Sequence, residues 1–127
     1  METVENKTAI ITGGGQGIGL CIAQTFLRAG ARVVIAESQA GLKEKAESFL
    51  SAGRQLLFTV TDVSREASVR AMVNKALKRF GRIDYLIHNA ATACNQPIDK
   101  LTYPQWKRVI GVNLSGVFLC AKHCRKA

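Results

Sequence analysis

The chain has 127 residues, 47% of them hydrophobic, and a net charge of +9 from 18 basic and 9 acidic side chains, which fits residues 1–127 as a single globular domain with a real core. No stretch reaches the roughly 20 apolar residues that span a bilayer, and the opening METVENKTAI is acidic and polar where a secretory leader is basic and then apolar, so no membrane association and a cytoplasmic location are expected. The positive excess invites a nucleic-acid partner, but Lys43, Lys45, Arg70, Lys75, Lys78 and Arg79 fall on polar helix faces and aromatics make up only 6%, so nucleic acid is not expected either.

Along the chain, apolar runs alternate with turn signals. Lys7 to Thr12 (KTAIIT) reads as a first strand, followed by glycines and then by Ile18, Cys21, Ile22, Phe26 and Ala29 at helical spacing, closed by Gly30. Arg32 to Glu37 (RVVIAE) is a second strand, and Leu42, Ala46, Phe49 and Leu50 mark a second helix with Gly53 as its left-handed stop. Gln55 to Val60 (QLLFTV) is a third strand. Ser64 is placed to cap a helix with the inner stripe Val69, Met72, Val73, Ala76 and Phe80, ended by Gly81.

Ile83 to His88 (IDYLIH) is a fourth strand. A last helix is expected from Thr102 as cap, with Pro104 in the first turn and Trp106, Val109, Ile110, Asn113, Val117 and Ala121 on its inner stripe. An amide at Asn113 on a buried stripe needs partners, which points to a local helix irregularity or a bound water. Strands alternating with helices of about a dozen residues require parallel pairing with right-handed crossovers. The fold class is α/β, a doubly wound parallel sheet.

Cys21, Cys94, Cys120 and Cys124 are scattered and carry no disulfide pattern, and Cys120 with Cys124 lacks the further ligands of a metal site, so no metal is expected.

The densest chemical signal is Thr12-Gly13-Gly14-Gly15-Gln16-Gly17-Ile18-Gly19, between the first strand and the first helix. Gly13 permits a tight turn, Gly17 lets the backbone approach a pyrophosphate, and Gly19 allows close packing of the helix. The helix N-terminus then presents free N–H groups to phosphates. No Gly-Lys-Ser/Thr ending follows, so this is not the loop of a nucleoside triphosphatase. Glu37 ends the second strand, where a carboxylate can accept hydrogen bonds from the adenosine ribose, the alternative being a solvent-exposed strand end. Its charge would repel the 2′-phosphate of NADP, and neither Gln16 nor Ser38 offers a compensating cation, so NAD is the expected cofactor and NADP is disfavoured.

The TGxxxGxG spacing resembles the short-chain dehydrogenases/reductases, and other segments agree in the family's order. Thr61-Asp62-Val63 matches the segment that borders the adenine ring, although Asp62 could equally belong to the turn before Ser64. Ile87-His88-Asn89-Ala90-Ala91 resembles the Asn-Asn-Ala-Gly element that supports the cofactor, with His88 and Ala91 as departures. Val112-Asn113-Leu114 resembles the helical segment whose Asn helps to hold a proton relay; a satisfied core Asn is the alternative.

The resemblance implies a Rossmann-type sheet of order 3-2-1-4, incomplete at four strands, with Thr12, Gly13, Gly15, Gln16, Gly17, Ile18, Gly19, Glu37, Asp62, Val63, Asn89 and Ala90 at the cofactor and Asn113 in the catalytic set. It also implies hydride transfer between NAD and a small-molecule alcohol or ketone, and leaves a homo-oligomer open. The family's catalytic Ser, Tyr and Lys follow the Val-Asn-Leu segment, yet only 14 residues follow Asn113 and none is Tyr. Tyr103-Pro104-Gln105-Trp106-Lys107 matches the Tyr-x-x-x-Lys pattern in the wrong place. The chain alone is therefore expected to be inactive, and a non-catalytic dinucleotide-binding module is the alternative reading.

Overall fold

The computed structural model describes residues 3–125. Four strands, β1 (Thr8–Thr12), β2 (Arg32–Glu37), β3 (Leu56–Val60) and β4 (Tyr85–Ile87), form one parallel sheet of order β3-β2-β1-β4. The helices are α1 (Gly17–Arg28), α2 (Lys43–Leu50), α3 (Glu66–Phe80), α4 (Tyr103–Ile110) and α5 (Gly116–Cys124), the last two joined by a π-helical turn over Gly111–Ser115. Strand order and element types are those expected from the sequence.

Alternation along β1 and β2 divides the core. Ile10, Val34 and Ala36 face one side and pack with Val69, Met72, Val73 and Ala76 of α3 and Cys120 and Cys124 of α5. Ile11, Val33 and Ile35 face the other, against Leu20 and Ala23 of α1 and Ala46 of α2. Burial of β1 and β2 on both faces explains their unbroken apolar runs. In register, Thr12 lies opposite Ala36 and Glu37 opposite Val60. The chain therefore leaves neighbouring strands at one edge of the sheet, where the connections can gather into a site.

Several local expectations are corrected. On α1, Ile18 is 76% exposed and Cys21 is also exposed, while Leu20 and Ala23 face the sheet; Ile18 belongs to the turn at the helix mouth, outside the packed stripe. The left-handed stop of α2 is Ser51, with φ of 47°, and Gly53 opens a short 3-10 turn instead. Ser64 does not cap α3, whose N-cap is Arg65; the Ser64 amide and hydroxyl are bound by the Asp62 carboxylate, at 3.0 and 2.6 Å. Gly81 does end α3 in the left-handed conformation, and Thr102 forms a capping box with Gln105 around Pro104.

The last helix departs furthest from the expected pattern. Trp106, Val117, Ala121 and Asn113 are exposed, and Gly116, Cys120 and Cys124 face inward. A Cβ on Gly116 would stand 2.8 Å from Val63 Cγ2, so α5 lies too close to its neighbours for bulk. Small residues occupy the inner face while Leu114, Val117 and Phe118 point away and Leu119 is half-buried, which inverts much of a reading based on size. Burial pushes the Cys120 and Cys124 thiols up to about 12 and about 11, so both stay protonated at neutral pH.

Candidate cofactor site

A cleft of about 580 Å³ opens at the carboxyl edge of the sheet, lined by the glycine turn, the end of β2, the segment after β3, the segment after β4, and α4 with its π turn. Of the sequence-predicted site residues, Gly13, Gln16, Ile18, Glu37, Asp62, Val63, Asn89 and Ala90 line it directly. Thr12, Gly15 and Gly19 are buried beneath it, and Gly17 lies exposed at the start of α1.

The floor is a hydrogen-bonded knot between β1 and the segment after β4. Thr12 Oγ1 accepts from the backbone amides of Asn89 and Ala90, at 3.1 and 3.0 Å, and Asn89 Nδ2 donates to the carbonyls of Thr12 and Gly13, both at 3.0 Å. A Cβ on Gly19 would stand 2.5 Å from Asn89 Nδ2 and from Gly13 O. Gly19 thus makes room for the Asn89 amide, a more specific reason than the helix packing expected of it. Gly17 differs: its φ is +55° and a Cβ there meets nothing within 4 Å. The turn needs glycine for conformation at that point, and the space outside it is open.

No side chain caps the N-terminus of α1, whose N-cap is Gln16. Its first-turn amides are thus left to an outside acceptor, and the helix dipole adds partial positive charge there. These features fit a phosphate group.

Glu37 is only 5% exposed, so it is not the solvated strand end that was one alternative. Its carboxylate accepts from Gly15 N at 3.2 Å on Oε2, and from Gln39 N at 3.2 Å and Ser38 Oγ at 3.4 Å on Oε1. Asp62 lines the cleft and also acts as the turn residue that binds Ser64.

Asn113 lies outside the cleft lining, but its amide reaches the segment that walls it. Oδ1 accepts from Thr92 N at 2.8 Å and Nδ2 donates to Thr92 O at 2.9 Å. The expected helix irregularity is present as the π turn around it. Arg108 of α4 also lines the cleft and donates to Ala93 O at 3.4 Å. Sequence reasoning missed Thr92 and Arg108, which nothing local distinguishes, named Val112 only as part of the Val-Asn-Leu segment, and missed Ser38 and Gln39 as lining residues although they adjoin Glu37. Tyr103 is 69% exposed and sits with Ile98, Leu101 and Trp106, away from the cleft, with Lys107 Nζ 5.0 Å from its ring centroid. His88 is exposed and lies outside the cleft lining.

Among the described residues, no three His, Cys, Asp or Glu side chains are placed to hold a metal ion, and no helix is long and apolar enough to cross a membrane.

Comparison with known proteins agrees with this geometry. The short chain dehydrogenase family model matches residues 7–127. An uncharacterized oxidoreductase of Thermotoga maritima is 43% identical over 95% of this chain and 48% of its own length. Among solved structures, a short-chain dehydrogenase/reductase of Brucella melitensis, described as a glucose/ribitol dehydrogenase, superposes with a TM-score of 0.93 at 30% identity, over 98% of this chain and 53% of that one. A 3-ketoacyl-(acyl-carrier-protein) reductase of the same organism, complexed with NADH, superposes with a TM-score of 0.87 at 35% identity, over 94% and 49%. The chain thus spans about half the length of the relatives it matches. With a family match over nearly its whole length, a parallel 3-2-1-4 sheet and a glycine turn at the sheet's carboxyl edge, this chain belongs to the short-chain dehydrogenase/reductase family of oxidoreductases.

Proposed function

We propose that this chain supplies the adenine side of an NAD site in an oxidoreductase acting on a small alcohol or ketone. The observation that carries the reading is the placement of the Glu37 carboxylate on the same cleft as the glycine turn. The open space at Gly17 and the uncapped start of α1 receive the pyrophosphate. Val63, Ala90 and Val112 offer apolar walls to a flat ring. The NADH complex of the Brucella reductase supports the choice of dinucleotide by family relationship.

Glu37 sets the preference for NAD. A carboxylate offers about four acceptor positions; three are taken by Gly15, Ser38 and Gln39, and the remaining one is on Oε2. That acceptor receives a ribose hydroxyl, whereas the 2′-phosphate of NADP would bring like charge against it. NAD, when bound, supplies the hydride acceptor. Asn113 acts as a positioning residue through Thr92, holding the wall of the site. The same reading takes the protein as cytoplasmic.

A second reading, that these 127 residues bind dinucleotide without turnover, is favoured by Tyr103 and Lys107, whose Tyr-x-x-x-Lys pattern stands away from the cleft. Titration with NAD and NADP tests the cofactor assignment. NAD should bind at least about tenfold more tightly, as expected from like-charge repulsion; equal affinities, or NADP the tighter, would overturn it.

A further inference from the structure

We propose that Gly15 is a specificity-determining position: having no side chain, it lets Glu37 hold its carboxylate at the cleft, so that the pair, and not Glu37 alone, selects NAD over NADP. The inference rests on the reading of Glu37 as the ribose acceptor.

The two residues are 22 positions apart and meet where the glycine turn crosses the end of β2. Gly15 contributes in two ways. Its amide donates to Oε2, the oxygen that keeps a free acceptor position, while Gln39 and Ser38 hold Oε1. The carboxylate is thereby fixed from both sides with its open acceptor on the Gly15 side. The bare Cα of Gly15 also leaves the space in which the Glu37 side chain lies. A Cβ there would stand 2.8 Å from Glu37 Cγ, 3.0 Å from Oε2 and 3.2 Å from Leu42 Cβ.

The backbone at Gly15 is not in the left-handed region, unlike Gly13 and Gly17. A positive φ therefore does not set the requirement for glycine here, and the demand visible at this position is for space. The tightest contact is to Glu37 Cγ, so the Glu37 side chain has to shift, whereas the 3.2 Å contact to Leu42 Cβ asks for a few tenths of an ångström and is the same in every Glu37 background. Glu37 would swing from Gly15 N, losing a hydrogen bond to a charged acceptor and misplacing the group that meets the ribose. The effect of Gly15→Ala must therefore depend on Glu37. A glycine needed only for the phosphate turn would lack that dependence.

The experiment is a double-mutant cycle on the 127-residue chain, with Kd for NAD and NADP measured for the parent, Gly15→Ala, Glu37→Ala and the double variant. Gly15→Ala should weaken NAD by about tenfold or more and bring the NADP-to-NAD ratio of Kd down towards that of Glu37→Ala. Added to Glu37→Ala, it should change that ratio by less than about twofold. If Gly15→Ala fails to fold alone but folds beside Glu37→Ala, the conflict lies with the Glu37 side chain, as proposed. If neither folds, or if Gly15→Ala weakens both cofactors equally in either background, the proposal is overturned.

The Gly15 amide resonance, followed without cofactor, separates the two layers. If it moves in Glu37→Ala while the NADP-to-NAD ratio stays at the parent value, the contact is right but the ribose reading has failed, and the selectivity claim falls with it. If it does not move, the contact itself is wrong.

Discussion

Asn113 holds the backbone of Thr92 by both its N–H and its C=O, joining the π turn after α4 to the segment that walls the cleft. One amide side chain thus replaces the two hydrogen bonds that a neighbouring strand would give. Asn113→Asp keeps the acceptor, loses the donor and sets a negative oxygen beside the Thr92 carbonyl. Asn113→Ala loses both bonds. Each should lower stability by about 1 kcal/mol and accelerate hydrogen exchange at Thr92, with Asn113→Asp no milder than Asn113→Ala. Unchanged exchange at Thr92 in both variants would show that the clamp does not hold the segment.

The close approach of α5 makes its own prediction. Gly116→Ala places a methyl 2.8 Å from Val63 Cγ2 and 3.3 Å from Val63 O, and overpacking of this kind costs about 1–3 kcal/mol. The midpoint of urea denaturation should fall with little change in slope. Since Val63 also lines the cleft, NAD should bind more weakly. A variant as stable as the parent would mean that α5 can move away freely.

At the far end of the sheet, Asp84 gives a pH dependence. Its carboxylate is bound by Arg82, accepts from Thr8 N at 2.8 Å and lies near Lys7; the Arg82 hydrogen bond is the chief cause holding its pKa below the usual carboxylate value, with burial opposing. A depressed folded-state pKa contributes stability that is complete above the unfolded value, about 4, and is lost as pH falls through the folded value. Asp84→Asn should lower stability at neutral pH and flatten the acid limb below about pH 4. Parallel acid limbs in parent and variant would contradict this.

The strands, most helices and the glycine turn were legible because they rest on short apolar runs, helical spacing and fixed glycine spacing, whereas the 3-2-1-4 order came from the family resemblance that the spacing carries. Val69, Met72, Val73 and Ala76 were placed correctly on α3 since that helix packs ordinary bulk against the sheet. The same rule failed on α5, where Gly116, Cys120 and Cys124 face inward because proximity admits only small groups. Ser64 looked like a cap by residue type, but the Asp62 carboxylate two positions earlier captured it. Glu37 was identified by its place at a strand end, whereas its burial and its contact with Gly15 depend on two segments meeting in space. Arg108 and Thr92 reach the cleft for the same tertiary reason.

Tyr103 supplies a test of activity. It is exposed at the start of α4 and lines a different hollow from Glu37 and Asn89. The 127-residue chain should therefore form no NADH from secondary alcohols above background, since a positioned acid/base contributes roughly 10²–10⁴-fold. Turnover that disappears in Tyr103→Phe would make Tyr103 catalytic and defeat the assignment.

If the cleft at the carboxyl edge of the sheet holds NAD, titration with NAD followed by amide chemical shifts should map onto its lining. Shifts should concentrate at residues 13–19, 37–39, 61–64 and 89–92 and be lost in Gly17→Val, whose branched side chain fills the open approach and strains the left-handed backbone of the turn. Shifts centred instead on Ile98, Tyr103 and Trp106, or undiminished in a folded Gly17→Val, would contradict binding in that cleft.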